Sequence, residues 1–399
     1  DVTYSDAATG ARQIKLLGLS GTYVQMLTEN IPNFRGAAMP FSLGYVPGTW
    51  MKSIQVSKGA SSVRNGYESI TGQINVQYLQ PEDEQGVTVN LYGDSKARFE
   101  ANADGNIHLN PRLSTEVLLH YENNSEKHDE NKDGFLDKPN VEQHNIQNRW
   151  AYLGDTYIFH GGLSLLGETR NGGQTTHGGH AMIDPAKGKY GIDIDTKRYE
   201  MYMKHAFVLD KEHGTNLALM ATGSLHDMDA NYGKRVYDVN EKNLYGQLMY
   251  ETNFTKQHNL SAGLSFNHDY FNQDVKLTED ASLEKVVEKE SVSGAYAQYA
   301  FNIDNKFIAM AGVRGDYSTV HDGFVTPRMH LKWMISELVT LRGEIGKGYR
   351  SSHVLAENSN LLASSRILED THKRMEDAWN YGFSAGFNIP VGNKDIKLN

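Results

Sequence analysis

The stretch Ile54-Gln-Val-Ser-Lys-Gly-Ala-Ser-Ser-Val-Arg-Asn-Gly-Tyr-Glu-Ser-Ile-Thr-Gly-Gln-Ile-Asn-Val76 decides the fold. Apolar and polar residues alternate at both of its ends, which predicts two short strands. Between them stand Gly59, Gly66 and Gly72 among small polar residues. Glycine occurs where the backbone needs a positive φ or approaches another segment closely. The stretch therefore predicts a small, tightly folded sheet unit.

The same stretch resembles the closing segment of the plug domain of TonB-dependent outer-membrane receptors. In that family a strand is followed by Lys/Arg-Gly, a small-residue turn, Tyr/Asn-Gly, and a Gly pair or Gly-Gln before Ile-Asn-Val. Here Lys58–Gly59, Asn65–Gly66 and Gly72–Val76 occupy these positions. The resemblance implies that residues 1–82 are the C-terminal part of a plug, and that residues 83–399 are the N-terminal portion of a transmembrane β-barrel.

The sequence after residue 82 supports a barrel independently of the resemblance. Segments such as 217–225 and 379–389 alternate with period two, and they approach the ~9–11 residues of a tilted membrane strand. Short connections are predicted at Asn110–Arg112, Gly154–Asp155, Asp210–Gly214, Thr255–Gln257, Asp304–Asn305 and Ser336–Glu337. Long polar loops are predicted at 124–143, 169–196, 228–242, 272–287 and 350–374. Outer-membrane barrels have short periplasmic turns and longer extracellular loops, so this alternation places the long loops outside.

The predicted fold class is an all-β membrane protein, an antiparallel transmembrane β-barrel with a partly missing N-terminal plug. We count about fourteen strands, the first at Val87–Asp94, with Asp395–Asn399 starting a fifteenth. The family barrel has 22 strands, so we expect a fragment lacking both ends. Thr326-Pro-Arg and Gly348-Tyr-Arg resemble an arrangement that the family carries well before its C-terminus. No signal-peptide pattern stands at the start, so we expect that it has been removed or that the chain is incomplete.

Composition narrows the function classes. No run approaches the ~20 apolar residues of a spanning helix, there is no Cys, and the formal net charge is −10. This acidic balance argues against nucleic acid as a partner. We find no phosphate-binding loop, no Gly-x-Ser-x-Gly elbow and no His-Glu-x-x-His pattern. The sequence predicts no enzyme.

Residues 129–137 resemble a calcium-binding loop. Asp129, Asn131 and Asp133 hold positions 1, 3 and 5, and Asp137 holds position 9. Position 12 is Asn140 instead of the usual Glu. We predict Ca²⁺ in this extracellular loop; the alternative is a solvated acidic turn, which Asp and Asn next to Gly also favour.

The loop 169–196 contains His177 and His180 among glycines. Imidazoles suit copper, zinc, nickel or haem iron, and the nearby Met182 would suit copper. The two histidines are predicted to contact a metal or haem substrate; the alternative is a glycine-rich loop without a ligand.

The plug loop, residues 33–47, is predicted to contact substrate through Arg35, Met39, Phe41 and Tyr45. The family resemblance implies this location, because apical plug loops face the external cavity. An arginine fork could hold an anionic ligand, and the two rings could stack. The alternative is that the rings wedge the plug against the barrel wall.

Charged residues on the polar face of a barrel strand, Arg342 and Glu344, are predicted to pair with plug residues. Arg64 and Glu68 are the proposed partners.

The resemblance implies active uptake of a scarce substrate, a ferric siderophore or other metal complex, across the outer membrane of a Gram-negative bacterium. TonB, with its inner-membrane motor complex, would be the energy-supplying partner, and outer-membrane lipid would surround the barrel. Two alternatives lack energy coupling: a passive fourteen-stranded channel and an adhesin-like β protein. The Ile54–Val76 pattern argues against a plugless channel.

Overall fold

Two sheets and a hairpin form the architecture in a computed structural model, which describes residues 2–175, 189–368, 375–391 and 394–398. Six strands precede residue 83, in the region that the sequence predicts to be the plug and that keeps this name below. They are β1 Val2–Asp6, β2 Ala11–Ile14, β3 Val24–Thr28, β4 Ile31–Pro32, β5 Met51–Lys58 and β6 Gly72–Tyr78. Strands β1 and β2 pair with each other, and the other four form a sheet in the order β4-β3-β6-β5.

The fold-deciding stretch folds as its sequence predicts. Strands β5 and β6 pair antiparallel, and β6 also pairs parallel with β3 at the centre of the small sheet. Gly59, Gly66 and Gly72 have φ values of +79°, +102° and +142°. A Cβ atom on Gly72 would lie 2.1 Å from the Ser57 carbonyl oxygen, so this close strand pairing requires glycine.

Replacing Gly72 with Ala is expected to open the β5–β6 pairing. The positive φ and the clash with backbone together should destabilise the plug sheet by about 2–4 kcal/mol. Amide hydrogen exchange of Met51–Lys58 measures this loss. Gly48→Ala is the matched control, because a Cβ there meets open space. Equal protection of β5 in both variants would contradict the prediction.

The barrel is one antiparallel sheet of fifteen strands in which each strand pairs with its neighbour in sequence. The strands are β7 Val87–Gly93, β8 Arg98–Asn110, β9 Leu113–Asn124, β10 Asn140–Leu153, β11 Tyr157–Gly173, β12 Gly191–Asp210, β13 Thr215–Tyr232, β14 Arg235–Thr255, β15 His258–Lys276, β16 Glu284–Ile303, β17 Phe307–Ser318, β18 Asp322–Ser336, β19 Val339–Arg350, β20 Glu376–Val391 and β21 Lys394–Leu398. The first strand, the six short turns and the fifteenth strand lie where they are predicted. The division of the chain at residues 82 and 83 stays a prediction.

Several polar stretches predicted as loops are strands instead. The prediction of a loop at 228–242 is wrong, because β13 and β14 continue to a two-residue turn at Gly233–Lys234. Most inward residues there are apolar and buried, as at Met228 and Tyr237, while most polar residues face outward; the buried Glu241 is an inward exception. This alternation extends the strands beyond their apolar band. For the same reason β11 and β15 run several residues into the stretches predicted as loops.

The fifteen-stranded wall curves around the plug. Six alternate strands, from β10 to β20, hydrogen-bond to plug residues. The bonds join Gln143 Nε2 to Gly44 O (3.1 Å), Arg198 Nη2 to Asn33 Oδ1 (2.8 Å), Gln247 Nε2 to Arg64 O (2.8 Å), Ser62 Oγ to Gln298 Oε1 (2.7 Å), Arg328 Nη2 to Tyr67 O (3.0 Å), and Asn380 Nδ2 to Ile70 O (3.0 Å). The main core therefore lies between the plug and the inner face of the wall.

The outer face of the wall carries a band of exposed apolar side chains. On β12, Tyr199, Met201 and Leu209 are exposed and face away from the plug, whereas Ile192 and Ile194 on the inner face are buried. Such an outward apolar band is the surface that a barrel presents to lipid. No helix among the described residues is long and apolar enough to cross a membrane.

Short helices complete the fold. The 3₁₀ helices are Gly21–Tyr23, Gly36–Phe41, Gly48–Trp50, Val63–Asn65 and Ser359–Ala363, and the single α-helix of the described residues is α1, Val354–Asn358. Residues 351–368, here the cap segment, follow β19 and contain α1. The stretch 350–374 is therefore helical in part, unlike the irregular loop that its polarity predicts.

Candidate functional site

The plug loop, residues 33–47, lies beneath the cap segment. Its 3₁₀ helix Gly36–Phe41 is almost entirely buried, and the backbone N–H of Ala37 donates to Glu241 Oε2 at 2.9 Å. Gly36 has a φ of +56°, and a Cβ there would lie 2.5 Å from the Phe271 ring. Small residues thus let the loop fit between the wall and the cap.

The cap segment packs its apolar side chains onto the plug loop. Leu355, Ala356 and Leu362 are buried in one cluster with Ala37 and Ala38. These side chains were missed because the stretch as a whole is polar. The signal was present in Val354-Leu-Ala and Leu361-Leu-Ala, two short apolar runs between polar residues.

Polar contacts fasten the cap segment to the wall. Ser351 Oγ donates to Glu290 Oε2 at 2.5 Å, and His353 Nδ1 lies 3.3 Å from Glu288 Oε2. Burial alone lowers the pKa of His353, but Glu288 and Asp269 outweigh burial and raise it. At its far end, the cap accepts hydrogen bonds from Arg235 through the carbonyl oxygens of Ser364 and Arg366 (2.7 and 2.9 Å). The cap therefore closes the outer side of the plug loop.

The predicted substrate-contacting residues separate into two groups. Phe41 and Tyr45 are 2% and 3% exposed and pack in the core between plug and wall, with the Arg170 guanidinium 4.9 Å from the Phe41 ring centroid. This is the wedge arrangement that stood as the alternative. Arg35 and Met39 are half-buried and line a cavity of about 40 Å³ under the cap. Substrate contact by these four residues stays a prediction.

Arg35 is already paired. It forms ion pairs with Glu68 and, at 3.1 Å, with Asp269 of the wall. Burial alone lowers the pKa of Arg35, but Asp269 and Glu68 outweigh it and hold the pKa well above its usual value. An anionic ligand at Arg35 would therefore compete with two carboxylates.

The predicted plug partners of Arg342 and Glu344 are wrong. Glu68 pairs with Arg35, and Arg64 lies 3.6 Å from Glu251. Arg342 is exposed, and Glu344 lies beside His330 at 3.8 Å. These pairings depend on how β14, β18 and β19 face the plug, which residue type and spacing along the chain do not specify.

A family model for "TonB dependent receptor-like, beta-barrel" matches residues 187–397, which is just over half of the chain. The chain belongs to the TonB-dependent receptor family. This is a family of outer-membrane receptors and transporters and not one of enzymes. The comparison with curated proteins found no match.

Solved structures share the fold of this receptor chain at low sequence identity. The siderophore receptor PirA from Acinetobacter baumannii is 16% identical with a TM-score of 0.74, and 97% of this chain covers 64% of that one. The ferric enterobactin receptor PfeA from Pseudomonas aeruginosa, in a point-mutant form, is 12% identical with a TM-score of 0.72, and the match covers 96% of this chain and 64% of that one. The copper transporter OprC is 13% identical with a TM-score of 0.73, for 97% and 64% coverage. The chain thus spans less than two thirds of the length of each structure.

Two buried arginines of the barrel wall, Arg328 and Arg149, hold the receptor's plug through hydrogen bonds and an ion pair. Neither of them was identified from the sequence. Arg328, of the Thr326-Pro-Arg motif, donates to Ser61 Oγ and to the carbonyl oxygens of Ser61, Ser62 and Tyr67, at 3.0–3.2 Å. Arg328 is only 3% exposed. It therefore fixes the turn between β5 and β6.

Arg149 is the second of these arginines and lies near the Leu153 end of β10. It is fully buried, pairs with Glu29 of the plug, and donates to Leu79 O and to the Tyr202 hydroxyl. Lys204 Nζ adds a bond to Glu29 Oε2 at 3.2 Å. The turn that carries Glu29 is thereby tied to two barrel strands.

Acid is expected to weaken the contacts of Glu29 with Arg149 and Lys204. Burial raises the pKa of Glu29, but Arg149 and Lys204 outweigh burial and lower it. A lowered carboxyl pKa contributes stability above the ordinary value of ~4.3 and loses it as pH falls through the folded pKa. Hydrogen exchange around residues 24–34 should therefore accelerate below about pH 4. Glu29→Gln should flatten this acid limb; an unchanged limb would contradict the assignment.

The predicted calcium residues form a self-bonded turn. Asp129 accepts from the N–H groups of Asp133 and Gly134 (both 3.0 Å), and Asp137 accepts from Glu130 N at 2.9 Å. Asn131 Nδ2 donates to Asp133 Oδ2 at 2.9 Å. Within the described residues, no group of three or more His, Cys, Asp or Glu side chains is arranged to hold a metal. Calcium binding by Asp129, Asn131, Asp133 and Asp137 stays a prediction.

His177 and His180 lie outside the residues that the structure describes. Their predicted contact with a metal or haem substrate stays a prediction.

Proposed function

We propose that the complete receptor takes up a scarce substrate, a ferric siderophore or other metal complex, across the outer membrane, driven by TonB and its inner-membrane motor complex. The observation that carries this proposal is the set of buried contacts through which Arg149 and Arg328 of the barrel wall hold the plug. A lumen filled by a plug with buried, hydrogen-bonded ion pairs admits no passive flow of large solutes, because opening it costs several kcal/mol. Energy coupling through TonB would supply the free energy that opening the plug requires.

The structural neighbours support a metal-containing substrate. A siderophore receptor, a ferric enterobactin receptor and a copper transporter share the fold. The plug loop under the cap segment is the proposed contact surface, through Arg35 and Met39 first, and through Phe41 and Tyr45 if the loop moves.

Uptake by cells expressing the full-length receptor tests the proposal. Labelled ferric chelates, haem, cobalamin and copper are offered to otherwise matched cells with and without TonB. We expect accumulation of one metal-containing substrate only when TonB is present. Equal uptake in both strains would instead support a passive channel, and binding without uptake in either would support an adhesin-like role.

A further inference from the structure

The cap segment crosses the mouth of the barrel wall above the plug loop. It leaves the wall at the end of β19, and its residues 362–366, here the far end, reach the rim at Tyr190 and Arg235. Tyr190 directly precedes β12, and Arg235 is the first residue of β14. Four strands, β15 to β18, separate β14 from β19 in the sheet. The cap segment is therefore a strap that is held at both ends.

Buried charges hold the near end of the cap segment, residues 351–357. Arg350, itself buried, pairs with the buried Glu357. Ser351 Oγ donates to the buried Glu290 at 2.5 Å. Breaking a buried charged contact is costly. The near end should therefore stay attached when the rest of the cap segment moves, and it provides the hinge.

Weaker contacts hold the far end. The Nη1 atom of Arg235 donates to the carbonyl oxygens of Ser364 and Arg366 at 2.7 and 2.9 Å, and the Tyr190 hydroxyl donates to Ala363 O at 2.9 Å. Ser364 and Arg366 are exposed. Water replaces exposed hydrogen bonds at little net cost. The far end is therefore the end that opens.

The closed cap segment leaves the plug loop no room for a metal complex. Helix α1 packs on the 3₁₀ helix of the plug loop, where Ala37 and Ala38 are fully buried. The space that remains beside Arg35 and Met39 is about 40 Å³. This volume accommodates about one water, whereas pockets for organic ligands measure about 300–1,000 Å³. The cap segment thus occupies the surface that the proposed function assigns to substrate.

We propose that the cap segment is autoinhibitory: it covers the outer surface of the plug loop, and it must release its far end before that surface can bind a metal complex. The inference rests on the proposed function for the site and class of the competing substrate. A closed cap lowers the apparent affinity in proportion to the fraction of receptor whose cap is open. Loosening the far end should therefore tighten substrate binding. If the cap segment instead formed part of the binding site, loosening it would weaken binding.

Thiol labelling of the plug loop tests the release of the cap segment without any substrate. The chain has no Cys, so Met39→Cys places one reporter under the cap segment in the purified full-length receptor. A hydrophilic maleimide is the probe. Thr49→Cys, at an exposed position just after the plug loop, is the control reporter.

Two variants loosen the far end in this assay. Arg235→Ala removes the guanidinium that donates to two carbonyl groups, and Tyr190→Phe removes only the hydroxyl that donates to Ala363 O. Lys234→Ala is the matched control, because Lys234 is exposed and has its ion pair outside the cap segment.

Labelling at position 39 should accelerate about tenfold in Arg235→Ala, which corresponds to the loss of one hydrogen bond from a charged donor, and less in Tyr190→Phe. Lys234→Ala should label at the rate of the receptor that carries the reporter alone. Labelling at position 49 should be the same in all variants. An unchanged rate at position 39 in both far-end variants, or an equal acceleration at position 49, would overturn the autoinhibitory role.

Equilibrium binding measures the sign of the effect. Arg235→Ala without a reporter cysteine should bind the transported compound of the uptake panel several-fold more tightly than the wild type. Weaker binding would overturn the inference and make the cap segment part of the binding site, while TonB-dependent uptake of that compound would still uphold the proposed function. Absence of uptake of every compound would contradict the proposed function, and the labelling rates would still decide whether the cap segment covers the plug loop.

Discussion

Replacing Arg328 with Ala releases the turn between β5 and β6 from the barrel wall and exposes it to exchange. Three backbone carbonyls and one hydroxyl lose a charged donor in a buried place. Hydrogen bonds to charged groups contribute about 1.5–3 kcal/mol each, and breaking a buried charged contact costs about 3–5 kcal/mol in total. Amide exchange of residues 59–72 should therefore accelerate by a factor of about one hundred to several thousand.

Arg342→Ala is the matched control for this experiment. Arg342 stands on the adjacent strand β19 with an exposed side chain, so its removal should leave plug exchange unchanged. If both variants exchange at the wild-type rate, Arg328 does not hold the plug turn.

Replacing Arg149 with Met is expected to loosen the opposite side of the plug by a similar amount. The substitution leaves Glu29 and Glu116, both buried, without their guanidinium partner. An uncompensated buried charge costs about 3–5 kcal/mol. Exchange and limited proteolysis around residues 24–34 measure the release.

A double-mutant cycle separates the ion pair from packing. Adding Glu29→Gln to Arg149→Met should recover part of the lost protection, because one of the two carboxylates left without Arg149 is then neutral. Arg112→Ala provides the control: the Arg112–Asp155 pair, at 2.7 Å, is exposed and joins two short turns, β8–β9 and β10–β11, and such pairs contribute about 0–1 kcal/mol. No recovery in the double variant would show that Arg149 acts through packing alone.

The barrel could be predicted from sequence because its determinants are local. Alternation of residues and the turn residues near Asn110, Asp210 and Asp304 set the strands and the short connections. Local polarity failed where strands extend beyond their apolar band, as at 228–242, because outward residues there are polar while inward residues still pack on the plug and the cap. It also failed at the cap segment, whose short apolar runs stand between polar residues.

The candidate site depends on long-range pairings that local patterns do not encode. Arg35 was singled out for its chemistry, but Glu68 and Asp269 neutralise it through the fold. Met26 and His353 are far apart in sequence and line the same cavity only because β19 returns the chain to the plug. Met39 could be predicted as a contact residue from its residue type, but the residues around it are set by the topology of the fold.

The proposed uptake requires the plug to move relative to the barrel wall, and a reversible tether between the two tests this most directly. The chain has no Cys, and an ideal Cβ on Gly346 of β19 would lie 2.6 Å from the Ala60 Cβ, so a disulfide needs a shift of about 1 Å. The full-length Ala60→Cys/Gly346→Cys receptor, with single-cysteine controls, is assayed for TonB-dependent uptake of the identified substrate. The oxidised form should bind substrate but not transport it, and reduction should restore uptake. Undiminished uptake by the oxidised form would contradict the claim.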